Sequence, residues 1–174
     1  MDTLISDLLA YSRLGRAEIQ LQPTDLTLVV AEALKQLAAQ LQERQAQVAV
    51  DNFLPQVMAY RPILVQVVTN LLSNAIKFVE PDVQPKVRVW TQEQSNWVRL
   101  CVADNGIGIG AEYQERIFRV FERLHGVETY PGTGIGLAIV HKGVERMGGR
   151  VGIQSQPGEG SQFWIDLPIA TEKR

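Results

Sequence analysis

The sequence has few of the features that mark disulfide-bonded, membrane-spanning or nucleic-acid-binding chains. Its single cysteine, Cys101, excludes an internal disulfide and a zinc site built from cysteines, and it suits a reducing compartment. No apolar run reaches the roughly 18 residues that a spanning helix requires, and the N-terminus lacks the order of a signal peptide. The net charge is −2 and the basic residues are scattered, so charge gives no case for nucleic acid. We therefore expect a soluble, cytoplasmic segment without direct membrane contact, whose longer parent is soluble or membrane-anchored.

The sequence does contain enough apolar material for one packed domain. Of its 174 residues, 45% are hydrophobic, and a chain of this length buries about 70% of its unfolded surface. Apolar periodicity predicts helices over residues 1–14, 25–44, 62–78 and from 136 to the glycines at 148–149. It predicts strands over residues 18–22, 47–50, 86–91, 97–103, 150–155 and 162–167. This order predicts an α+β two-layer sandwich.

The first predicted helix leaves two interpretations open. Leu4, Leu8 and Tyr11 form one apolar stripe, and Ile5 and Leu9 lie beside it. A helix this short is marginal in water unless the stripe packs against something. It either folds back on the domain or is half of a coiled coil or helical hairpin whose partner is absent.

A glycine-rich turn, Pro-Gly-Thr-Gly-Ile-Gly over residues 131–136, runs directly into a predicted helix. Glycine lets a ligand approach the backbone without a Cβ in the way, and the first N–H groups of a helix are open to anions. The pattern indicates a phosphate-binding site, although ordinary loop-to-helix turns have a similar composition.

The predicted helix 62–78 has an unusual polar side. Gln66, Asn70, Asn74 and Lys77 fall on one stripe opposite the apolar residues. Asparagine is a poor helix former, but its amide oxygen suits magnesium, and a lysine close by suits phosphate. The stripe is therefore either a ligand-facing surface or a solvated one.

An acidic residue, Asp104, ends a predicted strand and is followed by Gly106 and Gly108. In this arrangement a backbone can close over a planar ligand while the carboxylate accepts hydrogen bonds from its amino group, or the aspartate simply caps a turn. From residue 110 to 131 apolar anchors become sparse, which is typical of a functional lid.

Taken together, five segments resemble in order and spacing the five motifs of the histidine-kinase ATP-binding domain. They are residues 70–78, 104–108, 118–121, 132–137 and 158–163. The resemblance covers about residues 18–168, and residues 123–132 look most like phytochrome-type and related sensor kinases. It implies the Bergerat-type αβ sandwich of gyrases, heat-shock chaperones, histidine kinases and mismatch-repair ATPases. That fold would have a mixed sheet of about five to six strands on about three helices, plus a short N-terminal helix.

The resemblance implies a phosphate and metal end of the site. Asn74 is similar to the Mg²⁺ ligand that bridges to the phosphates, and Asn70 is similar to a second polar contact on the same helix. Lys77 resembles a phosphate contact, and Arg123 resembles a contact to the γ-phosphate. Asn70, Lys77 and Arg123 are the implied catalytic residues.

The resemblance also implies an adenine end. Asp104 is similar to the carboxylate that reads the adenine amino group, Gly106 and Gly108 give room for the base, and Ser161 lies near it. The remaining residues implied to line the ATP site, including the three glycines of the lid hinge and phosphate cradle, are Phe78, Ile109, Gly132, Thr133, Gly134, Gly136, Leu137 and Phe163.

Position 70 bears on mechanism. Related ATPases that hydrolyse ATP place a glutamate one turn before the magnesium asparagine, where it acts as general base for water. Asn70 cannot take a proton, which favours transfer to another protein.

His141 and Gly143 depart from the aliphatic or small residues expected on their helix, and Gly143 costs about 1 kcal/mol of helix propensity relative to alanine.

The implied protein is the catalytic part of a two-component sensor histidine kinase. Residues 1–17 resemble the end of the dimerisation and phosphoacceptor hairpin with its linker, residues 18–170 the ATP-binding catalytic domain, and residues 171–174 a polar tail. The implied partners are a phosphoacceptor hairpin, in a homodimeric parent, and the receiver domain of a response regulator. Neither His125 nor His141 carries the acceptor motif, so the segment is not expected to autophosphorylate. The alternatives are a nucleotide-binding regulatory module without transfer, and an ATPase or serine kinase of the same superfamily.

Overall fold

The structure is a computed structural model that describes residues 2–119 and 135–170. Five α-helices and seven strands lie within these residues, together with a short 3-10 turn after β5. In chain order they are α1 (Asp2–Leu14), β1 (Gln22–Asp25), α2 (Leu26–Gln36), α3 (Ala38–Arg44), β2 (Gln47–Val50), β3 (Gln56–Ala59), α4 (Arg61–Lys77), β4 (Lys86–Gln94), β5 (Trp97–Asp104), the 3-10 turn (Ala111–Tyr113), α5 (Gly136–Arg146), β6 (Arg150–Ser155) and β7 (Ser161–Pro168).

The main sheet has five strands in the order β2-β4-β5-β7-β6. β2 and β4 are parallel, whereas the other three neighbouring pairs are antiparallel. Alternate residues of the strands point toward the helices, as Val98, Leu100 and Val102 do in β5, and these side chains are buried. The predicted α+β class and mixed sheet are confirmed.

The central helix of the helical layer is α4. It packs against α2 on one side and α5 on the other. Pro62 lies in its first turn, where the missing N–H costs nothing. Val67, Val68, Leu71 and Leu72 are fully buried, and each such side chain contributes roughly 1.5–3 kcal/mol of hydrophobic stabilisation. This packing fixes the orientation of the polar side of α4.

The two helices α4 and α5 approach each other closely at Gly143. A Cβ at this position would lie 2.8 Å from Cγ2 of Val67 and 2.9 Å from Cγ2 of Ile63. The contact explains a residue that helix propensity alone disfavours, because any larger side chain would push the helices apart.

Three details of the predicted elements are wrong. The helix predicted over 25–44 is divided into α2 and α3 at Leu37, whose ψ of 8° interrupts the helix while its side chain remains buried. The strand predicted over 18–22 is β1, which begins at Gln22 and includes Pro23. It pairs on one side only, with β3, so the missing proline N–H is tolerated. The four-residue strand β3 was not predicted, because Gln-Val-Met-Ala is too short for a clear alternation.

The N-terminal helix α1 packs against α5 through its C-terminal half. Leu14 is buried, and Tyr11 contacts the core from a half-buried position. Toward its other end four apolar side chains are 38–59% exposed, namely Leu4, Ile5, Leu8 and Leu9. The helix therefore folds back on the domain and also presents an apolar surface to solvent. No helix within the described ranges is both long and apolar enough to cross a membrane.

Candidate nucleotide-binding site

The polar side of α4 faces the beginning of α5. Asn70, Asn74 and Lys77 are half-buried there. The Asn70 Nδ2 atom donates a hydrogen bond to the carbonyl oxygen of Gly136 at 3.3 Å. This bond joins the helix that carries the predicted magnesium ligand to the last glycine of the glycine-rich turn.

The N-terminus of α5 is suited to an anion. The side chain of the preceding residue, Ile135, does not cap the helix, so within the described residues no N-cap side chain accepts from its first N–H groups. A Cβ added to Gly136 would meet nothing within 4 Å, which leaves space beside the first turn. The helix dipole and these N–H groups favour a phosphate group at this position.

The carboxylate of Asp104 lies at the end of β5, on the helix-facing side of the sheet. Its Oδ1 atom accepts hydrogen bonds from the backbone N–H groups of Gly106 at 2.8 Å and Ser161 at 3.2 Å. Burial raises the pKa of Asp104 from 3.8 to about 6, and the two backbone hydrogen bonds oppose that shift. Both bonds go to one oxygen, so Oδ2 can accept a hydrogen bond from an amino group outside the chain.

The glycines around Asp104 are required by the protein's own backbone. A Cβ would lie 2.4 Å from the Phe78 carbonyl oxygen at Gly106, 2.0 Å from the Gln156 carbonyl oxygen at Gly108, and 2.1 Å from the Asp104 carbonyl oxygen at Gly160. Gly108 and Gly160 also have positive φ angles of 75° and 78°. In the structure these glycines let the loop pack tightly, and this requirement stands beside the predicted role of Gly106 and Gly108 in giving room to a base.

Ser155 and Gln114, which belong to none of the sequence motifs, hold this loop in place. The Ser155 hydroxyl accepts a hydrogen bond from the Ile109 N–H at 2.7 Å and lies 2.7 Å from the Ser161 hydroxyl and 2.8 Å from the Gly160 carbonyl. The Gln114 side-chain amide donates to the carbonyl oxygens of Ile109 at 3.1 Å and Ser155 at 3.0 Å. These contacts join segments that are distant in the sequence, so no local motif indicates them.

Some of the remaining predicted site residues lie within the described ranges and the others lie outside them. Phe78 ends α4, and its carbonyl oxygen accepts the Ile107 N–H at 3.0 Å. Leu137, in the first turn of α5, and Ile109, in the loop of residues 105–110 that follows β5 and is called here the Asp104 loop, are both half-buried. Phe163 is 5% exposed in the core, with its ring 6.3 Å from that of Phe118. Four predicted site residues lie outside the described ranges, namely Arg123, Gly132, Thr133 and Gly134. His125 and most of the predicted lid also lie outside them.

The described groups suit a ligand that has a base at one end and phosphates at the other. A half-buried carboxylate with one open oxygen lies at the sheet end of the site, and the N-terminus of α5 lies at the other end. Asn70 links the two helices between which the phosphates would lie. In the described residues no cluster of three or more histidine, cysteine or acidic side chains could hold a metal ion by itself.

Comparison with known proteins agrees with this geometry. Residues 59–171 match the family described as histidine kinase-, DNA gyrase B- and HSP90-like ATPase. The phytochrome-like protein Cph1 of Synechocystis sp. is 44% identical over 97% of this chain, which spans 22% of that relative. The structure of full-length ShkA in complex with AMPPNP matches 98% of this chain and 36% of ShkA, with 31% identity and a TM-score of 0.81. The catalytic domain of the histidine kinase ThkA matches with 24% identity and a TM-score of 0.74, over 87% of this chain and 97% of that solved domain, and it supports the fold alone.

These matches confirm the predicted resemblance, including its phytochrome-type character, because phytochrome-like proteins match nearly the whole chain. The chain itself spans only about a fifth of the length of these relatives. The matched region contains α4, the Asp104 loop and α5, which are the elements that build the site. The chain therefore belongs to the histidine kinase-, DNA gyrase B- and HSP90-like ATPase family and has the ATP-binding fold of histidine kinase catalytic domains.

Proposed function

We propose that this domain binds Mg-ATP and transfers the γ-phosphoryl group to a histidine on a separate helical hairpin, from which an aspartate of a response regulator takes it. The observation that carries this proposal is the side chain of Asn70. Its amide is held by the Gly136 carbonyl at the point where α4 meets α5, and an amide cannot accept a proton from water. A nucleotide held there would be protected from hydrolysis and available for transfer.

The adenine is assigned to Asp104. The open Oδ2 oxygen accepts the exocyclic amino group, and the two backbone N–H groups on Oδ1 fix the carboxylate plane. Guanine presents a carbonyl oxygen where adenine presents this amino group, so the carboxylate would repel it. The site should discriminate ATP from GTP for this reason.

The phosphates are assigned to the N-terminus of α5, with Lys77 supplying positive charge and Arg123 contacting the γ-phosphate. The side chain of Asn74 fits a magnesium ion, because its half-buried amide has no hydrogen-bond partner among the described residues and magnesium prefers one or two protein oxygens together with phosphate oxygens and water. Magnesium would neutralise charge that develops on the phosphates.

The transfer itself needs positioning more than covalent chemistry from this domain. An imidazole nitrogen of the acceptor histidine forms a bond to the γ-phosphorus, the bond from that phosphorus to the bridging oxygen breaks, and ADP leaves with the electron pair. The imidazole proton passes to solvent. Holding the phosphates in line with the acceptor is worth several kcal/mol of barrier and is what the rigid α4 and α5 would supply.

We further assign residues 1–17 to the end of the dimerisation hairpin and its linker, residues 18–170 to the catalytic domain and residues 171–174 to a polar tail. The exposed apolar side of α1 suits the other helix of that hairpin in a homodimeric parent. In this assignment the receiver domain of a response regulator is the downstream partner and the domain works in the cytoplasm.

The test is to incubate the chain with Mg²⁺, γ-labelled ATP and a separate acceptor hairpin. We expect label on the hairpin that is labile in acid and stable in alkali, as phosphohistidine is, and none on a hairpin whose acceptor histidine is replaced by glutamine. Acid-stable label would indicate a serine kinase, and release of free phosphate without labelled hairpin would indicate an ATPase. ATP binding without either product would indicate a regulatory module.

A further inference from the structure

The side of the main sheet that faces away from α4 and α5, called here the outer face, carries all three tryptophans of the chain. Trp90, Trp97 and Trp164 occupy positions of β4, β5 and β7 that alternate with buried core residues. Trp164 extends across Gly152 of β6, where a Cβ would lie 2.1 Å from its ring. Tryptophan is enriched where proteins contact each other, so three half-buried copies on one open sheet surface indicate a contact surface.

Arginine side chains stack on these rings. The guanidinium carbon lies 3.8 Å from the ring centroid for Arg99 over Trp164, and 4.5 Å for Arg88 over Trp90. A third pair, Arg150 and Trp97, is separated by 5.8 Å. Stacking restricts the planar guanidinium group and leaves the N–H groups at its edge accessible to a planar acceptor.

The charge of the outer face is opposite in sign to that of the whole chain. Its basic side chains are Lys86, Arg88, Arg99 and Arg150, and its acidic side chains are Asp166 and, directly after β2, the exposed Asp51. These groups leave the face net positive, whereas the chain has a net charge of −2. Asp166 is engaged by Arg99 in two hydrogen bonds of 2.7 Å and 2.9 Å. Arg88 and Arg150 are exposed, and neither has an acidic partner among the described residues.

We propose that the outer face binds a carboxylate-rich segment of a partner protein. The accessible guanidinium edges of Arg88 and Arg150 match the two oxygens of a carboxylate, and the half-buried tryptophans beside them provide apolar contact area. Single-stranded nucleic acid would need open ring faces for base stacking, and the Trp90 and Trp164 rings have guanidinium groups over them. The proposal does not rest on the function of the nucleotide site, which lies on the other side of the sheet.

The position of the tryptophans supplies a direct assay. Because every tryptophan lies on the outer face, intrinsic fluorescence of the 174-residue chain reports on this surface and not on the nucleotide site. The probe is a short synthetic peptide that alternates glutamate with leucine. We expect a saturable change in tryptophan emission that weakens as salt is raised, since exposed charges are screened at high ionic strength. The same peptide with glutamine or lysine in place of glutamate should bind at least tenfold more weakly.

Two double variants with the same change in net charge distinguish an effect of the outer face from an effect of total charge. The double substitution Arg88→Glu with Arg150→Glu should weaken glutamate-peptide binding by about tenfold or more, because two attractive contacts become repulsive. The control, Arg13→Glu with Lys35→Glu, makes the same change in net charge on exposed positions of α1 and α2 and should leave the affinity unchanged. All four positions are exposed, so both variants should keep the circular dichroism spectrum of the parent chain.

Three results would overturn the proposal. The first is equal affinity of the parent chain for the glutamate and glutamine peptides. The second is equal loss of binding in the two double variants, which would reduce the effect to net charge. The third is tighter binding of oligothymidylate than of the glutamate peptide, which would assign the outer face to single-stranded nucleic acid instead.

Discussion

Replacing Asp104 with asparagine should stabilise the ligand-free domain while weakening ATP binding. The substitution keeps the shape of the side chain and the oxygen that accepts the Gly106 and Ser161 hydrogen bonds, but it removes the buried negative charge. Burial is the main cause of the raised pKa of Asp104, so the charge is unfavourable in the folded protein.

The magnitude follows from the pKa of Asp104, which rises from 3.8 to about 6 on folding. At 1.36 kcal/mol per pKa unit, ionisation of this carboxyl costs the folded state about 3 kcal/mol at neutral pH. The folded state holds the proton more tightly, so the cost is absent below pH 3.8, grows as pH rises and is complete above about pH 6. The Asp104→Asn variant lacks the cost, so its advantage over the parent chain should grow over the same interval.

Denaturant unfolding without nucleotide at several pH values between 5 and 8 measures this difference. We expect the advantage of the variant to increase by roughly 1–1.5 kcal/mol over that range, with a melting-temperature difference of roughly 6–12 °C at pH 7, since 1 kcal/mol corresponds to about 2–4 °C in a domain of this size. Any fixed effect of the amide cancels in the pH dependence. A difference that does not vary with pH, or one that shrinks as pH rises, would refute the reasoning about the buried carboxylate.

Three further substitutions test other parts of the structure. Gly143→Ala should lower the free energy of unfolding by about 1–2 kcal/mol, because the clash with Val67 outweighs the gain in helix propensity; a stabilised variant would contradict the close contact of α4 and α5. Ser155→Ala should weaken ATP affinity more than Ser155→Thr does, because the Ile109 N–H and the Ser161 hydroxyl lose their partner; equal affinities in a calorimetric titration would exclude a positioning role. Asn74→Ala should remove the dependence of ATP affinity on Mg²⁺, so that EDTA weakens binding in the parent chain only; an unchanged response to EDTA would place the metal elsewhere.

The parts of the site that could be predicted from the sequence are those in which one element carries the signal. Asn70 and Asn74 are separated by a single helical turn, so a 3.6-residue period is enough to place them on the same side of α4. Asp104 was recognisable because it ends an alternating strand and precedes two glycines.

The parts that could not be predicted depend on contacts between distant segments. The requirement for glycine at position 106 comes from the carbonyl oxygen of Phe78 beside it, and the role of Ser155 depends on an N–H group 46 positions earlier, at Ile109. The break between α2 and α3 at Leu37 likewise reflects core packing, because the apolar spacing continues through it. Local patterns carry no information about such contacts.

The central claim is that Mg-ATP binds between α4, the start of α5 and the Asp104 loop. The most direct measurement is a titration of the isotope-labelled 19.4 kDa chain with Mg-ATP, followed by amide NMR. We predict shift changes at the backbone amides of Gly106, Gly136 and Ser161 and at the side-chain amides of Asn70 and Asn74, with the tryptophan indole signals of the outer face unchanged. Mg-ATP that leaves those five residues unaffected, or that moves the indole signals instead, would contradict the assigned site.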